Sequence, residues 1–150
     1  MAQQVKSPLL YYRYMSEDQY NTNLASEFYV LSVLHRLGAN ATLTFGNKKS
    51  VDIAVIRSEG NAVTVDVKGL AGTTSWPVDN VKAATPSHFL VFVCYNGKIN
   101  QASTSPDVWV MPSAVLEPFV YVSPKGRRVV QRATLRNKGA IYKDAWAQII

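Results

Sequence analysis

The chain of 150 residues has one cysteine and two histidines, too few for an intramolecular disulfide or a thiolate or imidazole zinc cluster. A reducing, cytoplasmic home is expected, and the polar opening MAQQVKSP shows no charged-then-apolar leader. Long apolar runs are missing as well. The longest, Phe89 to Tyr95, falls far short of the roughly 18 residues a membrane span requires, so no membrane association is expected. No fixed-period repeat and no low-complexity tract occurs, which excludes a solenoid and long linkers. Charge is sparse, at 17% of residues, against 47% hydrophobic. That composition supports a packed core and one domain over residues 1–150 rather than a disordered chain. The charge that is present is lopsided: 16 Lys and Arg against 10 Asp and Glu leave a net +6, which suits an acidic partner such as nucleic acid or a membrane surface.

Residues 1–15 crowd Leu9, Leu10, Tyr11, Tyr12, Tyr14 and Met15 together without a period, and read as an arm that docks on its own domain or on a partner. Ser16 with Gln19 fits a capping box, and Asn21, Thr22 and Asn23 offer later caps. A helix is expected to begin between 16 and 24 and to stop at Gly38. Its apolar stripe runs through Leu24, Phe28, Leu31 and Leu34, widened by Val30, Val33 and Leu37. Three short strands follow, Ala41 to Phe45, Val51 to Ile56 and Val63 to Lys68, the last two joined by a turn at Glu59-Gly60-Asn61. A short strand near Trp76 and a weak helix over Val78 to Ala84 lead to His88–Tyr95, whose unbroken apolar run is that of a strand buried on both faces. Val108 to Met111 reads as another strand, and Pro112 to Leu116 as the start of a short helix. Val120 to Ser123 and Arg128 to Gln131 read as short strands, although Arg128, Arg132 and Arg136 also keep helical spacing. Ile141 to Ile150 is expected to close the chain as a helix. The pattern is α/β with a central mixed β-sheet flanked by helices.

Chemistry gathers on the middle hairpin. Val63, Val65 and Val67 point one way along their strand, and Thr64, Asp66 and Lys68 the other. Antiparallel pairing about Glu59-Gly60 sets Asp52 opposite Val67 or Lys68, unless a bulge shifts the register by one residue. Asp52, Asp66 and Lys68 then converge, since cross-strand and diagonal neighbours lie about 4.5–8 Å apart. Glu27 precedes Val30, Leu31 and Leu34 on the first helix, so its carboxylate projects beside the apolar stripe, where a charge needs a partner. Three carboxylates and a lysine at a sheet edge suit a hard divalent cation, which prefers oxygen ligands. Such a cation stabilises charge on a phosphoryl oxygen and acidifies water, which is what phosphodiester hydrolysis needs.

Glu27, Asp52 in VDIAV, and Asp66 and Lys68 in VDVKG together resemble the PD-(D/E)xK nuclease superfamily, which includes restriction endonucleases and archaeal-type Holliday junction resolvases. The matching order covers roughly residues 24 to 70. Val51 stands where the family has Pro, and Asp66 where Glu is commoner; neither change removes a ligand. The resemblance implies a restriction-endonuclease-like αβββαβ core and Mg²⁺-dependent endonucleolytic cleavage of DNA, including branched or structured DNA, with Mn²⁺ able to substitute. It implies metal ligation by Asp52, Asp66 and the backbone carbonyl of Val67, with Glu27 acting through a water and Lys68 positioning the attacking water. A homodimer is expected, and no small-molecule cofactor.

Lys48 and Lys49 lead into the acidic strand and are candidates for phosphate contact, with Arg127, Arg128 and Arg132 from the basic C-terminal third and Trp76 as a base-stacking ring. Solvated turns, solvated surface and core packing are the alternative readings for these residues. Cys94, within the buried strand and with no adjacent base, is not read as a nucleophile. The family also contains inactive members, so a catalytically silent nucleic-acid- or protein-binding module on the same fold is the alternative reading.

Overall fold

A computed structural model describes residues 8–44, 51–81 and 85–150, with side chains from Asp18 onward in the first helix. Helix α1 (Pro8–Arg36) carries 29 residues. Pro8 suits a first turn because the N–H it lacks would have no helical partner there. The helix therefore begins ahead of Ser16, and the expected start between 16 and 24 is corrected: residues 8–15 are helical turns, and 1–7 lie outside the described residues. Gly38 does end the helix, at φ 83°, with the Ala39 N–H reaching back to the Leu34 carbonyl at 2.9 Å.

The buried face of α1 also differs from the expected stripe. Thr22, Ser26, Val30 and Leu34 are buried at four-residue spacing, whereas Phe28 and Leu37 are about half exposed at 51% and 49%. The reason lies across the interface, where the helix crosses a glycine, Gly69, against Thr22 and Ser26. Small side chains meet the sheet at that end and aliphatic ones at the other.

Strands β1 (Asn40–Leu43), β2 (Ile53–Ile56), β3 (Ala62–Leu70), β5 (His88–Cys94) and β6 (Asp107–Pro112) form a sheet in the order β1-β2-β3-β5-β6. β3 and β5 are parallel and the other pairs antiparallel, so the sheet is mixed. One face packs under α1 with Val30, Leu34, Val63, Val65, Val91 and Ile149. The other is covered by a small sheet of β4 (Ser75–Pro77), β8 (Arg128–Gln131) and β7 (Val120–Val122), with helix α2 (Arg132–Lys138), around Trp76, Leu90, Phe92, Met111 and Leu135. All seven residues of β5 are buried, as an unbroken apolar run between two covered faces requires. A mixed sheet flanked by helices is thus the architecture.

Two local expectations are corrected, and a third is resolved. In place of a helix from Val78, residues 79–80 form a turn, while 82–84 lie outside the described residues. The closing helix is replaced by two 3₁₀ turns, Ala140–Tyr142 and Trp146–Gln148. Between them Lys143 bridges to Trp109 at the sheet edge and Asp144 takes a left-handed φ of 50°, which no α-helix accommodates. The basic segment combines both of its readings in sequence, β8 first and α2 directly after it.

Candidate active site

The site forms where β2 stops. Beyond Val65, β3 continues for five residues paired with β5, and among the described residues no strand pairs with its other edge. Asp52 sits immediately before β2 at this gap. Its N–H donates to the Val65 carbonyl at 2.9 Å, although Val65 is registered against Ile53. Two residues therefore face one, the pattern of a β-bulge, and the expected register, with Asp52 opposite Val67 or Lys68, is corrected. The Asp52 carbonyl accepts from the Thr44 N–H at 2.9 Å, and its Oδ2 accepts from the Val67 N–H at 2.7 Å. A side chain thus takes the donor that a continuing strand would have bound. N–H and C=O of one strand residue share a side, so the Val67 carbonyl also faces the gap.

Asp66, the next residue in from this edge, is 2% exposed. Lys68 shares its face as the alternation requires, with Nζ 3.1 Å from Asp66 Oδ1. The second oxygen, Oδ2, is buried without a hydrogen-bond partner among the described residues. Burial pushes the Asp66 carboxyl up from 3.8 to about 6, with Lys68 opposing the rise and Asp52 adding to it. Glu27 reaches the same volume from α1. Burial, then Asp52, then Asp66 raise its carboxyl from 4.5 to about 7. Glu27, Asp52, Asp66 and Lys68 accordingly line one cleft of about 320 Å³.

Among the described residues no three His, Cys, Asp or Glu side chains are gathered closely enough to cage a metal ion. Mg²⁺ does not demand such a cage, because it is commonly held by one or two carboxylates, its remaining positions filled by waters and phosphate oxygens. Asp52 and Asp66, with the Val67 carbonyl, are a donor set of that size. The orphaned Oδ2 of Asp66 fits a cation on physical grounds: a desolvated carboxylate oxygen beside the Asp52 carboxylate, in a cleft that Glu27 also lines, is what a positive charge would relieve.

The residues expected to bind nucleic acid fare differently. Lys48 and Lys49 lie outside the described residues. Trp76 is corrected: its ring is fully buried, packed edge-on against Phe92 and Trp109, with Nε1 donating to the Val93 carbonyl at 3.1 Å. It forms the back of the cleft wall and has no face to offer a base. Arg127 binds Asp79 at 2.9 Å, and Arg128 pairs with Glu117, so neither guanidinium is uncommitted. Arg132 turns toward Cys94 and Asp107 instead of the cleft. Cys94 itself is buried, and burial pushes its thiol up, away from nucleophilic character. Gln19, Asn23 and Asn80 also line the cleft; by sequence Gln19 and Asn23 read only as helix caps, and Asn80 had no assigned role. Their one sequence signal was spacing, since Gln19, Asn23 and Glu27 follow at four-residue steps on α1.

No protein-family model matches the chain, and no curated protein matches it. Among solved structures it is similar to a bacterial homing endonuclease, I-Ssp6803I, with a TM-score of 0.53 over 87% of this chain and 91% of that one, at 13% sequence identity. The likeness shows a shared fold. Among the described residues, no helix is long and apolar enough to cross a membrane.

Proposed function

We propose that this chain is a divalent-metal-dependent endonuclease that hydrolyses phosphodiester bonds in DNA, with a site of the PD-(D/E)xK kind. The observation that carries the reading is the Asp66 carboxylate: buried, one oxygen without a hydrogen-bond partner among the described residues, the other 3.1 Å from Lys68, in a cleft that Asp52 and Glu27 also line. A protein gains no stability from clustered desolvated carboxylates, so the arrangement makes sense as a binding site. The likeness in fold to a homing endonuclease supports the same reading.

In this reading Asp52, Asp66 and the Val67 carbonyl hold Mg²⁺ or Mn²⁺, and Glu27 acts through an intervening water. When bound, the cation neutralises charge on the phosphoryl oxygen and acidifies water. Lys68 orients the attacking water and meets the charge that develops on the phosphorus oxygens. Glu27, lining the same cleft, would take up the proton released by the attacking water. One P–O bond to water forms as one P–O bond of the backbone breaks, and the leaving oxygen takes a proton. A homodimer in the cytoplasm, cutting the two strands with two sites, completes the proposal.

The test is cleavage of duplex, branched and single-stranded DNA with Mg²⁺ or Mn²⁺ by the parent, Asp66→Ala and Lys68→Ala. Cleavage by the parent and its loss in both variants are expected. A parent that cuts none of these, or variants that cut equally well, would sink the reading. Salt-sensitive DNA binding without cleavage would point to the silent module, and sedimentation tests the dimer.

A further inference from the structure

We propose that Gln19 and Asn23 on α1 and Asn80 across the cleft grip the sugar-phosphate backbone of the substrate strand as neutral hydrogen-bond donors beside the carboxylates. The inference rests on the nuclease reading and names residues that reading does not use. All three side chains are exposed and line the same cleft as Glu27, Asp52 and Asp66. Gln19, Asn23 and Glu27 form one row along the helix, about 12 Å from end to end, the length of three to four stacked nucleotides. Pro77 and Asn80 form the opposite wall.

Electrostatics explain why amides stand here. A lysine or arginine in the row would pair with Glu27 or Asp52 and quench the carboxylates. An acid would add to a repulsion that already raises Glu27 to about 7. An amide carries two N–H donors and no net charge, so it serves phosphate oxygens and leaves the acids alone. The nearby arginines already have acidic partners, Arg127 with Asp79 and Arg128 with Glu117.

Those same bonds hold Asn80 in place. Asp79 accepts from Arg127 Nε at 2.9 Å and from the Arg128 N–H at 2.8 Å, and the Val78 N–H donates to the Arg128 carbonyl at 2.9 Å. The turn carrying Asn80 is thereby fastened to the β7–β8 hairpin, so its amide meets the cleft from a fixed rim.

The experiment measures duplex binding by fluorescence anisotropy in an Asp66→Asn background, where cleavage is not expected. Asn23→Ala, Asn80→Ala and Gln19→Ala should each weaken binding by about three- to ten-fold, the range for an ordinary solvent-accessible hydrogen bond. The loss should be equal on unrelated sequences. The slope of log affinity against log salt should stay unchanged, because a neutral donor releases no counterion. In the cleaving parent the same substitutions should raise KM and spare kcat. Affinity within two-fold of the background, a loss confined to one DNA sequence, a shallower salt slope, or no DNA binding at all would each overturn the proposal. Cleavage by Asp66→Asn with Mg²⁺ would instead overturn the role given to Asp66 in the nuclease reading, leaving the amides to be judged on binding.

Discussion

Asp66→Asn should abolish cleavage and at the same time stabilise the metal-free protein at pH 8. Burial raises the Asp66 carboxyl from 3.8 to about 6 against the pull of Lys68. The folded state therefore binds this proton more tightly than the unfolded chain does. The stability tied to it is complete below pH 3.8 and is lost as pH rises through about 6. At pH 8 the ionised, buried group costs on the order of 3 kcal/mol, a figure that already includes its attraction to Lys68. Asparagine keeps the shape, removes the charge and turns a donor toward its carboxylate neighbour. A gain of about 2–3 kcal/mol follows, or about 4–12 °C in Tm for a chain of this size. At pH 4 the gain should fall below about 1 kcal/mol, since the native aspartate is then protonated. Urea denaturation followed by tryptophan fluorescence in EDTA, at pH 8 and pH 4, measures both quantities. Equal destabilisation at the two values would refute the argument, because it would mean that the carboxylate holds the fold together.

Gly69→Ala would put a methyl group 2.4 Å from Ser26 Oγ and 3.0 Å from the Thr22 carbonyl, pushing α1 off β3. A loss of about 1–3 kcal/mol in urea is expected, and Ser26→Ala should recover only part of it because the backbone contact persists. Glu27, raised to about 7 by burial and by Asp52 and Asp66, adds to the same trend. Stability of the metal-free protein should fall as pH rises from about 4.5 through 7. Thermal melts should therefore show Mn²⁺ raising Tm strongly at pH 8 and little at pH 5, where protons compete for the same oxygens. Trp76→Ala should cost about 3–5 kcal/mol, a core penalty. DNA affinity of the folded fraction should not change if the ring stacks on no base.

The reading of the β2–β3 hairpin rested on local information and picked out residues that line one cleft. Period-two alternation assigned Asp66 and Lys68 to one face, and they meet at 3.1 Å. The Gly60 turn, at φ 87°, joined the two strands. Register was less legible, because the bulge at Asp52 depends on where β2 stops and not on the turn. The expected apolar stripe on α1 missed for a similar reason. Phe28 and Val30 are both acceptable core residues by type, and the choice between them was made by Gly69 on a strand some forty residues later.

By itself the sequence determined the strands, the mixed α/β class and the acid-x-Lys pair, since these follow from periodicity and turn chemistry within a few residues. Only the tertiary structure decided which positive charges were already committed. Asp79 holds Arg127 from 48 residues away, and Trp76 is sealed between strands distant in sequence. The same holds for the amide row, whose facing wall comes from a turn that a hairpin far along the chain holds in place. Pairing and burial between remote segments depend on the packed volume as a whole, which no local pattern encodes.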